Sequence, residues 1–263
     1  MHYVSMAQLS LELTQHQLDE FARLSGDDNP IHVDPEFAAG TRFGRTVAHG
    51  MHLFSLMDAG IARHIDPEFM VTSQSLMFSA PTFTDEPLTL RLDAVGDGTI
   101  DEELTDSEGN TTAHGSAVAA LFEEPSDPEP GAAPAPYKGL EVGMSAIQVR
   151  EFTPADVAAY TELVEDPRSR YHGPAPEIPR PLLGGLVSRL LGVDLPGPGT
   201  NWLKQRYWFH RQVTAPAEVT MTVAITRLRP EKSLVDLAAH GTVGGEVVVS
   251  GRTLVLAADV APR

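Results

Sequence analysis

The chain has no cysteine among its 263 residues. Disulfides, thiolate nucleophiles and Cys-ligated zinc are therefore excluded. Positive charge is also scarce: 19 Lys and Arg stand against 36 Asp and Glu, a net of −17. Binding a nucleic-acid backbone needs a basic face, so nucleic acid is excluded as the main partner, and an anionic membrane surface with it. A phosphorylated small molecule is not excluded, because a few local Arg or Lys residues are enough to hold one. No apolar run approaches the roughly 20 residues that span a bilayer. The N-terminal MHYVSMAQLSLELTQHQLDE lacks a charged segment followed by an apolar one, so no secretory leader is read. The expectation is a cytoplasmic protein with no membrane contact. At 42% hydrophobic residues it has ample material for a packed core.

The stretch EEPSDPEPGAAPAPYKG, Glu123 to Gly139, is rich in Pro, Gly, Ala and acid and has no periodic apolar pattern. It reads as a linker. The division expected is an N-terminal domain over 1–124, a linker over 125–139 and a C-terminal domain over 140–263. The halves repeat. LTQHQLDEFARL, N-capped at Thr14, parallels FTPADVAAYTEL, N-capped at Thr153 with Pro154 in the first turn. RTVAHGMHLFSLM from Arg45 pairs without gaps with RPLLGGLVSRLLG from Arg180, which sets Gly50 against Gly185. Both segments read as buried helices. Alternating segments and Gly-punctuated strand pairs follow in each half. A buried helix followed by a meandering antiparallel sheet suggests a sheet wrapped around that helix, an α+β arrangement.

One loop stands out. SGDDNPIH, residues 25–32, follows the first amphipathic helix and holds Asp27, Asn29, Pro30 and His32 in the form Asp-x-Asn-Pro-x-His. With its flanks from Phe21 to Met51, and with Ala48-His49-Gly50 opening the long helix, it resembles the MaoC-like family, which includes the (R)-specific enoyl-CoA hydratases. The resemblance implies a double hotdog: two antiparallel sheets, each around a long central helix, joined as a pseudo-dimer. It also implies hydration of trans-2-enoyl thioesters to (R)-3-hydroxyacyl thioesters, or the reverse dehydration. The substrate would be an acyl-CoA or acyl-carrier-protein thioester, with no other cofactor and no metal. Whether two such chains form a homodimer stays open.

The residues suit that chemistry. Adding water across an α,β-unsaturated thioester needs a base for the water, an acid for the α-carbon and a donor for the enolate oxygen. Asp27 and His32 supply the first two if both face one water molecule. Asn29 and Pro30 stiffen the loop between them. The Gly50 N–H, in the first turn of a helix, suits the oxyanion. Asn29, Ala48, His49 and Arg45 are the expected substrate-binding neighbours, His49 chiefly as a structural residue at the helix entrance. In the second half, VEDPRSRYHGPAP retains Asp166 and His172 six positions apart, without Asn-Pro between them. From N-cap to the Arg before the long helix is also shorter, 27 positions against 31. That half is expected to be catalytically dead, lending its space to the acyl chain, with Gly184 and Gly185 opening room at its helix entrance. Two readings compete: a hotdog thioesterase, and a non-catalytic subunit that binds acyl thioesters.

Overall fold

The computed structural model describes residues 5–120 and 136–262. Most of the expected linker lies outside the described residues. The first half runs β1 (Met6–Glu12), α1 (Gln15–Ser25), α2 (Pro30–Val33), α3 (Pro35–Ala39), α4 (Gly50–His64), β2 (Ser73–Phe78), β3 (Pro87–Gly96), β4 (Thr99–Thr105) and β5 (Thr111–Val118). The second runs β6 (Ser145–Phe152), α5 (Pro154–Val164), α6 (Arg180–Arg189), β7 (Asn201–Phe209), β8 (Ala217–Arg229), β9 (Leu234–Val243) and β10 (Glu246–Leu256). No described helix is long and apolar enough to cross a membrane.

The ten strands among the described residues form one open antiparallel sheet in the order β1-β3-β4-β5-β2-β7-β10-β9-β8-β6. Five strands from each half meet at the β2–β7 seam, where Ser73 pairs with Trp208 and Met77 with Lys204. The order reads alike from either edge, as for a two-fold dimer fused into one chain. The edge strands β1 and β6, which precede the short helices, were not read from the sequence. Their alternation is plain, but in β1 it is carried by only three partly buried side chains, Ala7, Leu9 and Leu11.

Local chemistry fixes the helix starts. Thr14 accepts from the Gln17 N–H while Gln17 Oε1 accepts from the Thr14 N–H, and Thr153 with Asp156 does the same. These capping boxes satisfy first-turn donors that would otherwise be orphaned. Helix α4 is buried on every side over Met51 to Ala62, as expected for a helix enclosed by a sheet.

The helix correspondence differs from the ungapped pairing. The Ala48 N–H donates to the Thr82 carbonyl at 2.8 Å, and in the other half the Ile178 N–H donates to the Val213 carbonyl at 2.7 Å. Bridges Val47–Phe83 and Glu177–Thr214 match as well. Gly50 therefore corresponds to Arg180, each the first residue of its long helix, and Gly185 lies deeper in α6. Gly184 and Gly185 do not open an entrance. A Cβ on them would lie 2.7 Å from Met51 Sδ and from Ser25 Cβ respectively, so these glycines let α6 press against α4 and α1.

Inside the seam is a polar chain. Gln205 Nε2 donates to Gln74 Oε1 at 2.7 Å, and Gln74 Nε2 donates to Glu102 Oε2 at 3.2 Å. Burial pushes the Glu102 carboxyl up to about 8, against the hydrogen bond from Gln74. Between its ordinary 4.5 and about 8, the folded state holds a proton that the unfolded state has released. Stability should therefore fall with rising pH in that window, by about 1.4 kcal/mol per unit at most. Urea unfolding from pH 5 to 8 should show this slope, and Glu102→Gln should flatten it. An unchanged slope in the variant would contradict the assignment.

Candidate active site

Helix α1 ends at Gly26, whose φ of 78° is a left-handed C-cap that turns the chain sharply. The next residue, Asp27, is 1% exposed. Its carboxylate accepts from the Asn29 N–H at 3.4 Å through Oδ1 and from the Ser188 hydroxyl at 2.5 Å through Oδ2. Asn29 caps α2 by accepting from the Ile31 N–H, and its Nδ2 donates to the Gly192 carbonyl at 3.4 Å. Pro30 opens α2, where its missing N–H costs nothing. One turn later His32 returns towards Asp27.

Both imidazoles have their tautomer set by a carbonyl. His32 Nδ1 lies 2.6 Å from the Val47 carbonyl and His49 Nε2 lies 3.0 Å from the Asp27 carbonyl. A carbonyl can only accept, so each of these nitrogens bears a proton. Nε2 of His32 is then the nitrogen with chemistry to offer. The two rings lie 3.9 Å apart between centroids, and Phe21 covers His49 at 5.2 Å. Burial, with His32 as the next cause, holds His49 well below the usual histidine range. A second buried imidazole, His52, is lowered to about 4 by burial. His49 therefore stands neutral beneath the loop that carries Asp27 and His32. Asp27, His32 and His49 gather one donor atom each within 4.8 Å, a spacing that a metal would accept.

Asp27 and His32, but not the fully buried His49, border a cavity of about 730 Å³, lined by Asp27, Asn29, His32, Ala48 and Gly50 and by Ser188, Leu191 and Trp202 from the second half. The N–H groups of Gly50 and Met51 precede the first intrahelical bonds of α4, which run from His52 and Leu53 to the His49 carbonyl. Gly50 is required sterically: a Cβ there would lie 2.7 Å from the Phe78 ring. Arg45 does not join the cavity. Its guanidinium pairs with Glu86 and stacks over Phe83 at 4.1 Å. Its place is taken by Arg42, three positions earlier, which does line the cavity.

Sequence reasoning missed Ser188, Leu191 and Gly192, since nothing near them in the chain marks them. Under the corrected correspondence Ser188 occupies in α6 the place of Asp58 in α4. That exchange explains the fate of the second loop. Asp166 follows a left-handed residue, Glu165, and accepts from the Arg168 N–H at 3.0 Å, as Asp27 accepts from Asn29. Arg168 thus replaces Asn29, Tyr171 replaces His32 and Arg180 replaces Gly50. His172, expected as the histidine counterpart, is exposed and one position beyond. The Arg168 guanidinium donates to Asp58 at 2.6 Å and to Asp166 at 3.0 Å, with all three side chains at most 2% exposed. Burial raises Asp166, partly offset by Arg168. The loop is also truncated: Asp27 and Gly50 stand 23 positions apart, Asp166 and Arg180 only 14. The segment lost corresponds to α3 and the turn after it, which in the first half supply Phe37, Thr41 and Phe43 to the cavity wall.

Removing one partner of a buried ion pair leaves uncompensated charge and costs about 3–5 kcal/mol. Arg168→Met should destabilise the fold by that amount in urea titration, and adding Asp58→Ser should recover part of it. A loss below about 1 kcal/mol would contradict a buried ion triad.

The comparisons with known proteins follow the same division. The profile of the MaoC like domain matches residues 5–116, the half that holds the intact loop. An (R)-specific enoyl-CoA hydratase of Aeromonas caviae is 36% identical over 128 residues, which covers 45% of this chain and 96% of that protein. A 3-hydroxybutyryl-CoA dehydratase of Methylorubrum extorquens is 33% identical over 129 residues, 45% of this chain and 82% of that protein. A Mycobacterium tuberculosis protein described as a double hotdog fold superposes with a TM-score of 0.69 at 12% identity, covering 97% of this chain and 96% of that one. The fold is thus a double hotdog, and the chain belongs to the MaoC-like dehydratase family.

Proposed function

We propose that this chain interconverts trans-2-enoyl thioesters and (R)-3-hydroxyacyl thioesters by adding or removing water, without metal or other cofactor. The observation that carries the reading is one cavity holding the buried Asp27 carboxylate, the His32 imidazole and Gly50 at the start of α4. The relatives named hydratase and dehydratase support reaction in either direction.

In the hydration direction, one water lies between Asp27 and His32 Nε2. The Ser188 hydroxyl and the Asn29 N–H hold the carboxylate facing the cavity, so no reorganisation is needed as charge develops. The Asp27 carboxylate removes a proton from water as oxygen attacks the β-carbon. His32, bearing a proton on Nε2 as well as Nδ1, delivers the Nε2 proton to the α-carbon from the same side, which makes the addition syn. The proton gained by Asp27 then returns to His32 and restores the pair. The Gly50 N–H, at the positive end of the α4 dipole, stabilises the enolate oxygen. Asn29 and Ala48 shape the wall, and His49 pins the Asp27 backbone.

The test is hydration of a trans-2-enoyl-CoA, followed by loss of enoyl absorbance and chiral analysis of the product. Asp27→Asn and His32→Gln should each lower kcat by about 10²–10⁴-fold while the protein stays folded, and the product should be the (R)-3-hydroxyacyl thioester. Asp166→Asn should leave kcat per folded molecule unchanged. Release of free CoA without hydroxyacyl product would replace the reading with thioester hydrolysis. Near wild-type turnover by Asp27→Asn would overturn it.

A further inference from the structure

The cavity is lined both by buried apolar side chains and by a half-exposed ion pair. Leu53 and Leu191 line it and are buried, while Arg42 and Asp259 line it and are half exposed. Among the described residues lining it, Arg42 is the one Lys or Arg. Its guanidinium lies 3.3 Å from the Asp259 carboxylate, both side chains about half exposed (51% and 50%), and rests over the Phe43 ring at 4.8 Å. The pair bridges two walls of different origin. Arg42 lies on the turn after α3, the segment the second half lacks, and Asp259 lies on the C-terminal tail. That tail is pinned: Lys138 Nζ donates to the Ala258 and Val260 carbonyls at 2.6 and 2.7 Å. On the other side, a Cβ on Gly199 would meet the Asp259 carbonyl oxygen at 2.4 Å. The backbone beside Asp259 is fixed, while its carboxylate makes an ion pair in a solvated setting, worth at most about 1 kcal/mol. Such a pair exchanges readily for a stronger anion.

Resting on the enoyl-thioester reading, we propose that Arg42 is the contact for a phosphate of the thioester carrier, with Asp259 occupying its guanidinium until the carrier arrives. A carrier thioester joins an apolar acyl group to a phosphorylated pantetheine arm, and the cavity lining offers buried apolar side chains for the first and a half-exposed guanidinium for the second. A chain of net charge −17 repels a polyanion at long range, so a local cation is needed where the phosphate docks. A planar guanidinium already ordered on an aromatic face suits bidentate phosphate contact.

The experiment compares one enoyl group on three carriers: CoA, 4′-phosphopantetheine and pantetheine. For Arg42→Ala, KM should rise on the order of tenfold for the phosphorylated carriers, with kcat little changed and the pantetheine thioester unaffected. A rise shared by CoA and phosphopantetheine assigns the contact to the pantetheine phosphate, which carrier proteins also bear. A rise for CoA alone assigns it to the nucleotide phosphates; either supports a phosphate contact. Asp259→Asn should lower KM for the phosphorylated thioesters only. Equal changes on all three carriers, or none, overturn the proposal while wild-type hydration of the pantetheine thioester leaves the enoyl-thioester reading standing. Wild-type failure on all three overturns both.

Discussion

The hydrogen bond from Ser188 to Asp27 is the contact on which the geometry of the candidate site depends. It joins α6 of the second half to the motif loop of the first, 161 positions away. For the bond to form, α6 must lie close against α1, which Gly185 permits at Ser25. The two sheets must also be joined at the β2–β7 seam, so that the helices of both halves share one interior. The Asn29 amide extends the same junction to Gly192. The second half is therefore a wall of the first half's site, and the site has no complete form without it.

The same geometry accounts for the asymmetry between two halves with one strand order. A fused dimer begins with two equivalent sites, each completed by the helix of its neighbour. At one site the neighbour's helix offers Ser188. At the other it offers Asp58, and the loop answers with Arg168 and Tyr171 where the first has Asn29 and His32. A guanidinium held between two buried carboxylates satisfies its donors and fills the space. The truncated loop removes the wall that α3 and its turn provide elsewhere. Arg180 at the helix start, stacked on Phe209 at 5.5 Å, takes the place that Gly50 leaves beside Phe78.

What the sequence disclosed follows from range. Asp27, Asn29, Pro30 and His32 were legible because six consecutive residues carry the motif and local capping rules fix their shape. The division into two similar halves was legible through Thr14 and Thr153 with their helical periods. The register of the long helices was not. Shared Arg and Gly residues favoured an ungapped pairing of Arg45 with Arg180, whereas backbone bonds at Ala48 and Ile178 shift it by five positions. That shift hid Ser188, since a lone serine on an apolar helix has no local signature. Tyr171, five positions after Asp166 as His32 is after Asp27, was masked by the neighbouring His172. Arg45 was misplaced for a similar reason: only packing shows that Glu86 and Phe83 draw it away from the cavity.

The central claim, that the second half completes the first half's site, is tested most directly by the steady-state kinetics of Ser188→Ala with a trans-2-enoyl-CoA. The account predicts a fall in kcat of at least about tenfold with KM little changed and the fold intact by circular dichroism, and partial rescue by Ser188→Thr. Wild-type kcat in Ser188→Ala would contradict it.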